Sequence, residues 1–184
     1  MVAIGIDYTP AYEQGAGIGR TVRGLVSALA HIDTQTDYRL FVAGANTKPL
    51  PPQLAPNFTY KPSRISPKWW ARIWHRAQIP YPIENIIGKI ALYHATDFVL
   101  PPLRAKTKSI VTIHDLSYIR VPEAASPSLK AYLDVVVPRS LNRATHIHAV
   151  SETTRQDLIT LYNIPPEKIS VIFHAVESHF PPIT

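Results

Sequence analysis

Cysteine is absent from this 184-residue chain, which excludes disulfide frameworks and zinc sites with cysteine ligands. No segment approaches the roughly 18 consecutive apolar residues that a membrane span requires. The first residues, MVAIGIDYTP, lack the basic region and cleavage site of a signal peptide and are interpreted as a first strand. These absences fit a cytoplasmic protein, and the chain length predicts one domain with an ordinary hydrophobic core.

Acidic residues are the minority among the charged ones, with 13 Asp and Glu against 19 Lys and Arg, a net charge of +6. A basic surface favours anionic partners such as nucleotide diphosphates, nucleic acid or acidic lipid. Because the excess is spread along the chain, the sequence has no basic tail. The 18 prolines fall mostly in pairs or small clusters, which predicts stiff loops between the regular elements.

Short apolar runs alternate with segments of helical spacing, a pattern typical of α/β proteins with a parallel, doubly wound sheet. Helices are predicted after Ile18, within residues 67–80, after Ser126 and after Ser151, with both serines as caps. Pro138 is expected to kink or split the third of these helices. The predicted strands comprise residues 2–6, 38–43, 58–61 (at an edge), 90–94, 109–113, 146–150 and 169–173.

A pair of ionisable residues, His114 and Asp115, follows the buried strand of residues 109–113. Open α/β sheets bind ligands in the crevice beyond the carboxyl ends of their strands. The pair is therefore a candidate for chemistry, and the alternative is an Asp that caps a helix beside a surface histidine. His94 and His174 also lie near the carboxyl ends of predicted strands.

A glycine-rich loop with Gly15, Gly17 and Gly19 connects the first strand to the first helix. Glycines before a helix N-terminus can form an anion site from backbone amides and the helix dipole. The spacing departs from the dinucleotide fingerprint, because Arg20 stands where its last glycine would fall, so a nicotinamide site is not expected. The alternative interpretation is a flexible connection.

All three tryptophans lie within residues 69–74, interleaved with basic residues. Such a segment can bind a membrane surface or nucleic acid, or it can pack an aromatic face on the sheet. Packing is favoured, because Trp70 and Trp74 are four residues apart and share one helix face. His146 and His148 share one strand face and are interpreted as core or interface residues. No metal site is predicted, because no histidine pair has the i, i+4 spacing of a zinc motif.

Four segments, taken in order, resemble a known family: GAGIGRTVRGLVSAL, YHATDFVLPP, VTIHDLSYIRVPE, and HAVSETTRQDLI followed by IPPEKISVI. They are similar to the N-terminal half of retaining, nucleotide-sugar-dependent glycosyltransferases of the GT-B fold, the glycosyl transferases group 1 family. The resemblance runs from the first strand to about Phe180. It implies a Rossmann-like domain, with helices on both faces of the sheet, that receives the acceptor while a second domain binds the nucleotide sugar.

The resemblance also implies domain limits and roles. Residues 1–180 would form one acceptor-side domain, residues 174–184 would begin the interdomain linker, and the donor-binding domain would be absent. Ala175 and Glu177 stand where the family has Gly and Asp in this linker, so the usual hinge contact is not expected. His114 would lie near the transferred sugar and the acceptor hydroxyl, oriented by Asp115. The implied substrate-binding residues are Gly15, Gly17, Ile18, Gly19, Arg20, His94, Ser151 and Glu152.

The resulting hypothesis is an acceptor-binding domain of an enzyme that moves a hexose from a nucleoside-diphosphate sugar to a sugar or lipid-linked acceptor. The domain is expected to be inactive alone and to need no metal or other cofactor. Peripheral contact with the inner membrane face is compatible with this hypothesis. The alternative is a non-enzymatic binding or assembly module that pairs with a separate donor domain or with itself. A nucleic-acid binder, suggested by charge and tryptophans, is the weakest reading and is not predicted.

Overall fold

A computed structural model of the chain describes residues 1–15 and 17–175, and within them seven parallel strands form one sheet. The spatial order is β3-β2-β1-β4-β5-β6-β7, which confirms the predicted parallel, doubly wound sheet with residues 58–61 at an edge. The strands are β1 (Ala3–Asp7), β2 (Asp37–Ala43), β3 (Phe58–Ser63), β4 (Leu92–Ala95), β5 (Lys108–Ile113), β6 (His146–Ala149) and β7 (Ile169–Val171).

Helices connect most of these strands. The first short helix continues almost directly into a long one, and the third runs on into a π-helical turn at Arg72–Arg76. Two 3-10 turns, Pro122–Ala124 and Pro166–Lys168, complete the connections. The described α-helices are α1 (Thr9–Glu13), α2 (Ile18–Ile32), α3 (Pro67–Ala71), α4 (Glu84–Ile87), α5 (Ser117–Arg120), α6 (Pro127–Arg143) and α7 (Glu152–Tyr162).

Two hydrophobic cores lie on opposite faces of the sheet. Leu40 and Val42 of β2 pack with residues of α1 and α2, whereas Phe41 and Ala43 pack with residues of α3, α6 and α7. Successive side chains of a strand point to opposite faces, so helices cover both sides, as the sequence resemblance implied. The sheet order reverses between β1 and β4, which creates the crevice where open α/β sheets bind ligands.

The two central strands approach closely because β1 carries a glycine. Gly5 pairs with Tyr93 of β4 in the parallel register. A Cβ atom on Gly5 would lie 2.8 Å from Cδ2 of Tyr93 and 2.6 Å from Cδ1 of Ile87. The missing side chain therefore leaves room for the fully buried Tyr93 ring to lie against β1.

The helix caps and most of the tryptophan packing are as predicted. The Ser126 hydroxyl accepts a hydrogen bond from the backbone N–H of Leu129 (3.3 Å), and Ser151 accepts one from Thr154 (3.0 Å). The indole rings at positions 70 and 74 are buried and stacked with centroids 4.1 Å apart, whereas the ring at position 69 is 57% exposed.

One local prediction is wrong. Residues 9–13, expected in a loop, form α1, because Pro10 presets the first turn and the carboxylate of Asp7 accepts a hydrogen bond from the Thr9 N–H. Pro138 lies inside α6 and does not split it, and a kink of the helix at this residue stays a prediction. Burial of the apolar face of α6 outweighs the one hydrogen bond that proline removes.

The predicted start of the linker reaches beyond the described chain, since residues 176–184, including Glu177, lie outside the described residues. In the part of the chain that the structure describes, no helix combines the length and apolar character needed to traverse a bilayer.

We predict that Gly5→Ala lowers the free energy of unfolding by about 1–3 kcal/mol, because the added methyl overpacks the junction of β1 and β4. Gly24→Ala is the matched control. A Cβ on Gly24 meets no atom within 4 Å, so this helical substitution should stabilise the protein by about 0.5–1 kcal/mol. Urea unfolding measures both, and a Gly5→Ala protein as stable as the parent would contradict the close packing.

Candidate functional site

Two carboxyl groups flank the switch point. β1 ends in Asp7, and β4 is followed by Thr96 and Asp97. The hydroxyl of Thr96 donates a hydrogen bond to the backbone carbonyl of Asp7 (2.8 Å), which ties the ends of the two central strands together. Both carboxyl groups are thereby held at the carboxyl edge of the sheet.

Burial raises the pKa of both groups. The pKa of Asp7 rises to about 6, mainly through desolvation, and the charges of Asp97 and Glu13 add to the rise while hydrogen bonds from Thr9 oppose it. Desolvation alone raises the pKa of Asp97 to about 6. No cation is among the causes that shift the pKa of Asp7 or Asp97, so no positive charge compensates their burial. Each carboxylate is therefore ionised but poorly solvated at neutral pH.

The loop that carries Asp97 is held in an uncommon conformation. Phe98 has a positive φ of 50°, which disfavours a bulky residue. Its N–H donates a hydrogen bond to the carbonyl of Thr112 (3.0 Å), and its ring meets the His114 ring edge-on at 5.8 Å. Such local strain is concentrated at functional sites, where it fixes a side chain in one direction.

A cleft of about 180 Å³ opens between these carboxyl groups and the helices above β1, β2 and β4. Its walls combine both carboxyl groups with aromatic rings, among them Trp74, Tyr93 and Tyr132. The hydroxyl of Tyr93 is buried and has no hydrogen-bond partner among the residues that the structure describes. Buried polar groups are normally satisfied, so this hydroxyl marks a place where a ligand can complete the set of hydrogen bonds.

A neutral histidine closes another part of the cleft wall. Burial, reinforced by the charges of Arg143 and Arg139, lowers the pKa of His75 to about 4. The imidazole is therefore uncharged at neutral pH and does not neutralise Asp7 or Asp97. The cleft thus offers carboxylate acceptors beside aromatic surface, a combination suited to a polyhydroxylated ligand.

The glycine loop lies beside this cleft, and its residues differ in conformation and surroundings. Gly17 has a φ of +58° and begins α2. A Cβ on Gly19 would lie 2.5 Å from the carbonyl of Gln14, so Gly19 permits α1 and α2 to touch, whereas Gly15 meets no atom within 4 Å. Ile18 packs against the core, and Arg20 is exposed in the first turn of α2.

Arg23, which lies one turn into α2, stabilises the loop. Its guanidinium donates hydrogen bonds to the carbonyls of Ala11 (2.8 Å), Gln14 (2.7 Å) and Gly15 (2.7 Å). These three contacts connect α2 to the end of α1 and to Gly15. The role of Gly15, Gly17 and Gly19 in binding an anion stays a prediction.

His114 is held at the same edge by the Thr96 segment. Its Nε2 donates to the carbonyl of Thr96 (2.9 Å), and burial is the main cause that lowers its pKa. The imidazole is therefore neutral, with Nδ1 as its acceptor. Asp115 is exposed, and its carboxylate accepts a hydrogen bond from the N–H of Ser117 (2.8 Å), whereas the N-cap position of α5 is occupied by Leu116.

Ser151 connects to this histidine through Thr154, whose hydroxyl donates to the carbonyl of His114 (3.1 Å). Glu152 is exposed and forms an ion pair with Arg155 at 2.7 Å. The roles of Ser151 and Glu152 in binding substrate stay predictions.

His94 belongs to a hydrogen-bonded chain. Its Nε2 lies 2.8 Å from the hydroxyl of Thr112, which lies 3.1 Å from Nδ1 of His148. His148 Nε2 donates to the carbonyl of Ile172 (2.9 Å), so each proton has one acceptor along the chain. Burial lowers the pKa of His94 to about 4. His94 thus contacts Thr112 rather than the cleft.

Sequence reasoning identified His114 and the glycine loop but not the carboxyl pair or Tyr93. Asp7 stands directly after a predicted strand and Asp97 three residues after another, and these positions were the available signal. Their proximity depends on β4 lying beside β1, which the order of elements along the chain does not reveal. Among the described residues, no group of His, Asp and Glu has the arrangement of a metal site.

Comparison with known proteins decides the family. Residues 15–180 match the family model described as Glycosyltransferase Family 4. The chain belongs to glycosyltransferase family 4. This assignment confirms the resemblance stated from the sequence: the domain is the N-terminal domain of a GT-B glycosyltransferase.

Two curated relatives agree with the family assignment. The chain is 30% identical over 118 residues to the O-antigen chain mannosyltransferase RfbU of Salmonella typhimurium, covering 64% of this chain and 31% of that protein. It is also 30% identical over 91 residues to O-antigen chain mannosyltransferase B of Escherichia coli, covering 50% of this chain and 23% of that protein. The aligned segments therefore represent less than one third of either relative.

A solved structure shows the same fold. The wall teichoic acid polymerase TagF superposes with a TM-score of 0.51 and 11% sequence identity, over 94% of this chain and 38% of that one. At this identity the likeness concerns the fold alone.

We predict that Asp97→Asn raises the free energy of unfolding at pH 8 by about 1–2 kcal/mol, because it removes a desolvated charge. A folded-state pKa near 6, above the ordinary 3.8, means that Asp97 disfavours folding once pH rises above this window. The gain should therefore shrink at pH 4.5, where the folded protein holds the proton.

Asp134→Asn is the control, because Asp134 is an exposed partner of Lys130 on α6. Urea unfolding at both pH values provides the measurement. An equal gain at pH 8 and pH 4.5, or a loss of stability at pH 8, would contradict a desolvated carboxylate at position 97.

Proposed function

We propose that this chain is the acceptor-binding domain of a glycosyltransferase that moves a hexose from a nucleoside-diphosphate sugar to a sugar or lipid-linked acceptor. Residues 1–180 constitute this domain, residues 174–184 begin the linker, and a donor-binding domain completes the enzyme. The names of the two bacterial relatives favour mannose as the hexose and an O-antigen type polysaccharide as the product.

The cleft at the switch point is the observation that carries this proposal. Asp7 and Asp97 supply ionised acceptors for sugar hydroxyls, and the unpartnered hydroxyl of Tyr93 supplies a donor. Trp74 and Tyr132 supply aromatic surface for the apolar faces of a sugar ring. The carboxylates disfavour an anionic ligand, so the cleft suits a neutral sugar unit of the acceptor rather than the diphosphate of the donor.

The loop that begins α2 suits the donor diphosphate. The first N–H groups of an α-helix have no partner within the helix, and the helix dipole favours negative charge there. Arg23 donates a hydrogen bond to the carbonyl of Gly15 in the loop, and Arg20 is exposed in the first turn of α2. As sugar transfer proceeds, the leaving diphosphate gains negative charge, which oriented amides and cations stabilise.

His114, which follows β5, is the residue proposed to act near the transferred sugar. Because its imidazole is neutral and its Nε2 is occupied by the Thr96 carbonyl, Nδ1 is the atom available to accept a hydrogen bond from a sugar hydroxyl. It positions the transferred sugar or the acceptor hydroxyl. Ser151, through Thr154, holds the backbone of His114 in place.

We predict that the 184-residue chain alone transfers no sugar, because the donor-binding domain supplies the groups that hold the nucleotide. Purified chain, GDP-mannose and a mannose-containing oligosaccharide are incubated, and released GDP is measured. Release of GDP faster than in a sample without protein would contradict the requirement for a donor-binding domain.

We predict that the chain nevertheless binds neutral saccharides in the cleft, which saturation-transfer NMR with methyl glycosides of mannose, glucose and galactose can detect. Asp97→Asn should weaken binding about 10–100-fold, and Tyr93→Phe about 2–10-fold, as expected for hydrogen bonds to a charged and a neutral group. Tyr93→Phe leaves the ring packing intact, so it separates binding from folding.

Asp134→Asn again serves as the control and should bind like the parent. Saccharide binding that survives both cleft substitutions would place the acceptor elsewhere and would contradict the proposed site.

A further inference from the structure

The segment from the end of β3 to the residue before α4 holds five of the 19 Lys and Arg residues of the chain and no acidic residue that would offset them. Residues 61–83 contain five Lys and Arg and no Asp or Glu, a local charge of +5 against +6 for the whole chain. Four of the five side chains, those of Arg64, Lys68, Arg72 and Arg76, are exposed. Surfaces with one sign of charge attract partners of the opposite sign, so the charge of this segment favours an anionic partner.

Large apolar side chains are exposed in the same segment. Trp69 is 57% exposed, Ile79 48%, Tyr81 41% and Ile65 39%. The guanidinium of Arg72 lies 4.5 Å from the centroid of the Trp69 ring, so charge and aromatic surface are presented together. A purely electrostatic partner would not require this apolar surface.

Three of these apolar residues border one groove. Ile65, Ile79 and Tyr81 line a groove of about 450 Å³ whose walls are mostly apolar. The groove has a firm floor, because the buried Trp70 ring stacks on Trp74 and its Nε1 donates to the Ser63 hydroxyl (3.1 Å). The apolar surface therefore belongs to the fold.

An anionic bilayer surface is the partner that this combination fits. Exposed Trp and Tyr rings prefer the interface between hydrocarbon and headgroups, and Lys and Arg side chains reach acidic headgroups around them. Each cation near such a surface strengthens binding about fivefold. Nucleic acid is a poorer match, because a single exposed indole provides no series of stacking positions along a basic channel.

We propose that residues 61–83 dock the protein on an anionic membrane surface, with the Trp69 indole and the rim of the apolar groove in the headgroup region and the basic side chains on acidic lipids. This inference does not rest on the acceptor role of the cleft. The proposed membrane surface is nevertheless adjacent to the cleft, because Trp70 lines both the groove and the cleft.

Vesicle sedimentation of the 184-residue chain tests the proposal. Vesicles of phosphatidylcholine with 30% phosphatidylglycerol should bind the chain at least tenfold more tightly than vesicles of phosphatidylcholine alone, and 0.5 M salt should remove most of the difference. Lys68→Gln with Arg72→Gln should weaken binding to the acidic vesicles at least tenfold. Equal binding to both vesicle types would overturn the proposal.

Lys106→Gln with Lys108→Gln is the matched control, since both residues are exposed at the opposite edge of the sheet. This control should change binding less than threefold. An equal loss in both double variants, or equally tight binding to a DNA duplex, would show a general charge effect and would also overturn the proposal.

Trp69→Phe supplies a second readout. Brominated lipids in the acidic vesicles should quench the fluorescence of the parent protein, and the quenching should disappear in Trp69→Phe, because the other two tryptophans are buried. Quenching that is absent in the parent, or that persists in the variant, counts against insertion of the indole. Thermal unfolding of each variant confirms that it is folded.

Discussion

The close approach of the two central strands is the constraint on which the site depends. Gly5 leaves no side chain between β1 and β4, so the Tyr93 ring occupies that space, and Tyr93 is among the residues that line the cleft. The Thr96 hydroxyl then fixes the end of β4 to the end of β1 through the Asp7 carbonyl. The missing side chain and this hydrogen bond thus keep the strand ends that carry Asp7 and Asp97 close together.

The charges of this edge oppose one another in their effect on stability. Asp7 and Asp97 have raised pKa values and favour the folded state only when protonated, whereas His75 and His94 have lowered pKa values and favour it only when neutral. Between about pH 4 and pH 6 these effects have opposite signs, so they partly cancel. Above this range the histidines are neutral, which favours the folded state, and the carboxylates are ionised, which disfavours it. This arrangement is expected where carboxylates are retained for binding.

The sequence was a good guide to whatever is encoded locally. The apolar run at residues 109–113, the cap at Ser126 and the shared face of Trp70 and Trp74 each depend on neighbours within a few residues, and the structure confirms them. His94 shows the limit. It stands near the carboxyl end of its strand, but its side chain lies on the face of Thr112 and His148. The position of a residue along its strand predicts the edge of the sheet at which the residue lies, but not the neighbours that its side chain contacts.

The carboxyl pair illustrates the same limit at longer range. Asp7 and Asp97 are 90 residues apart, and only the pairing of β1 with β4 brings them together. No local pattern reports that pairing, although the family resemblance implies a sheet in which it occurs. A search for acidic residues within three positions after strands, followed by assembly of the sheet order, would have included both.

The tryptophan segment serves two surfaces because helical spacing separates its rings. Trp70 and Trp74 face the sheet and form one wall of the cleft, while Trp69 lies on the outer side with Arg72 over its ring. The two interpretations of this segment, packing and membrane contact, therefore concern different tryptophans and do not compete. Because Trp70 borders both the groove and the cleft, the proposed membrane surface and the proposed saccharide site are neighbours on this domain.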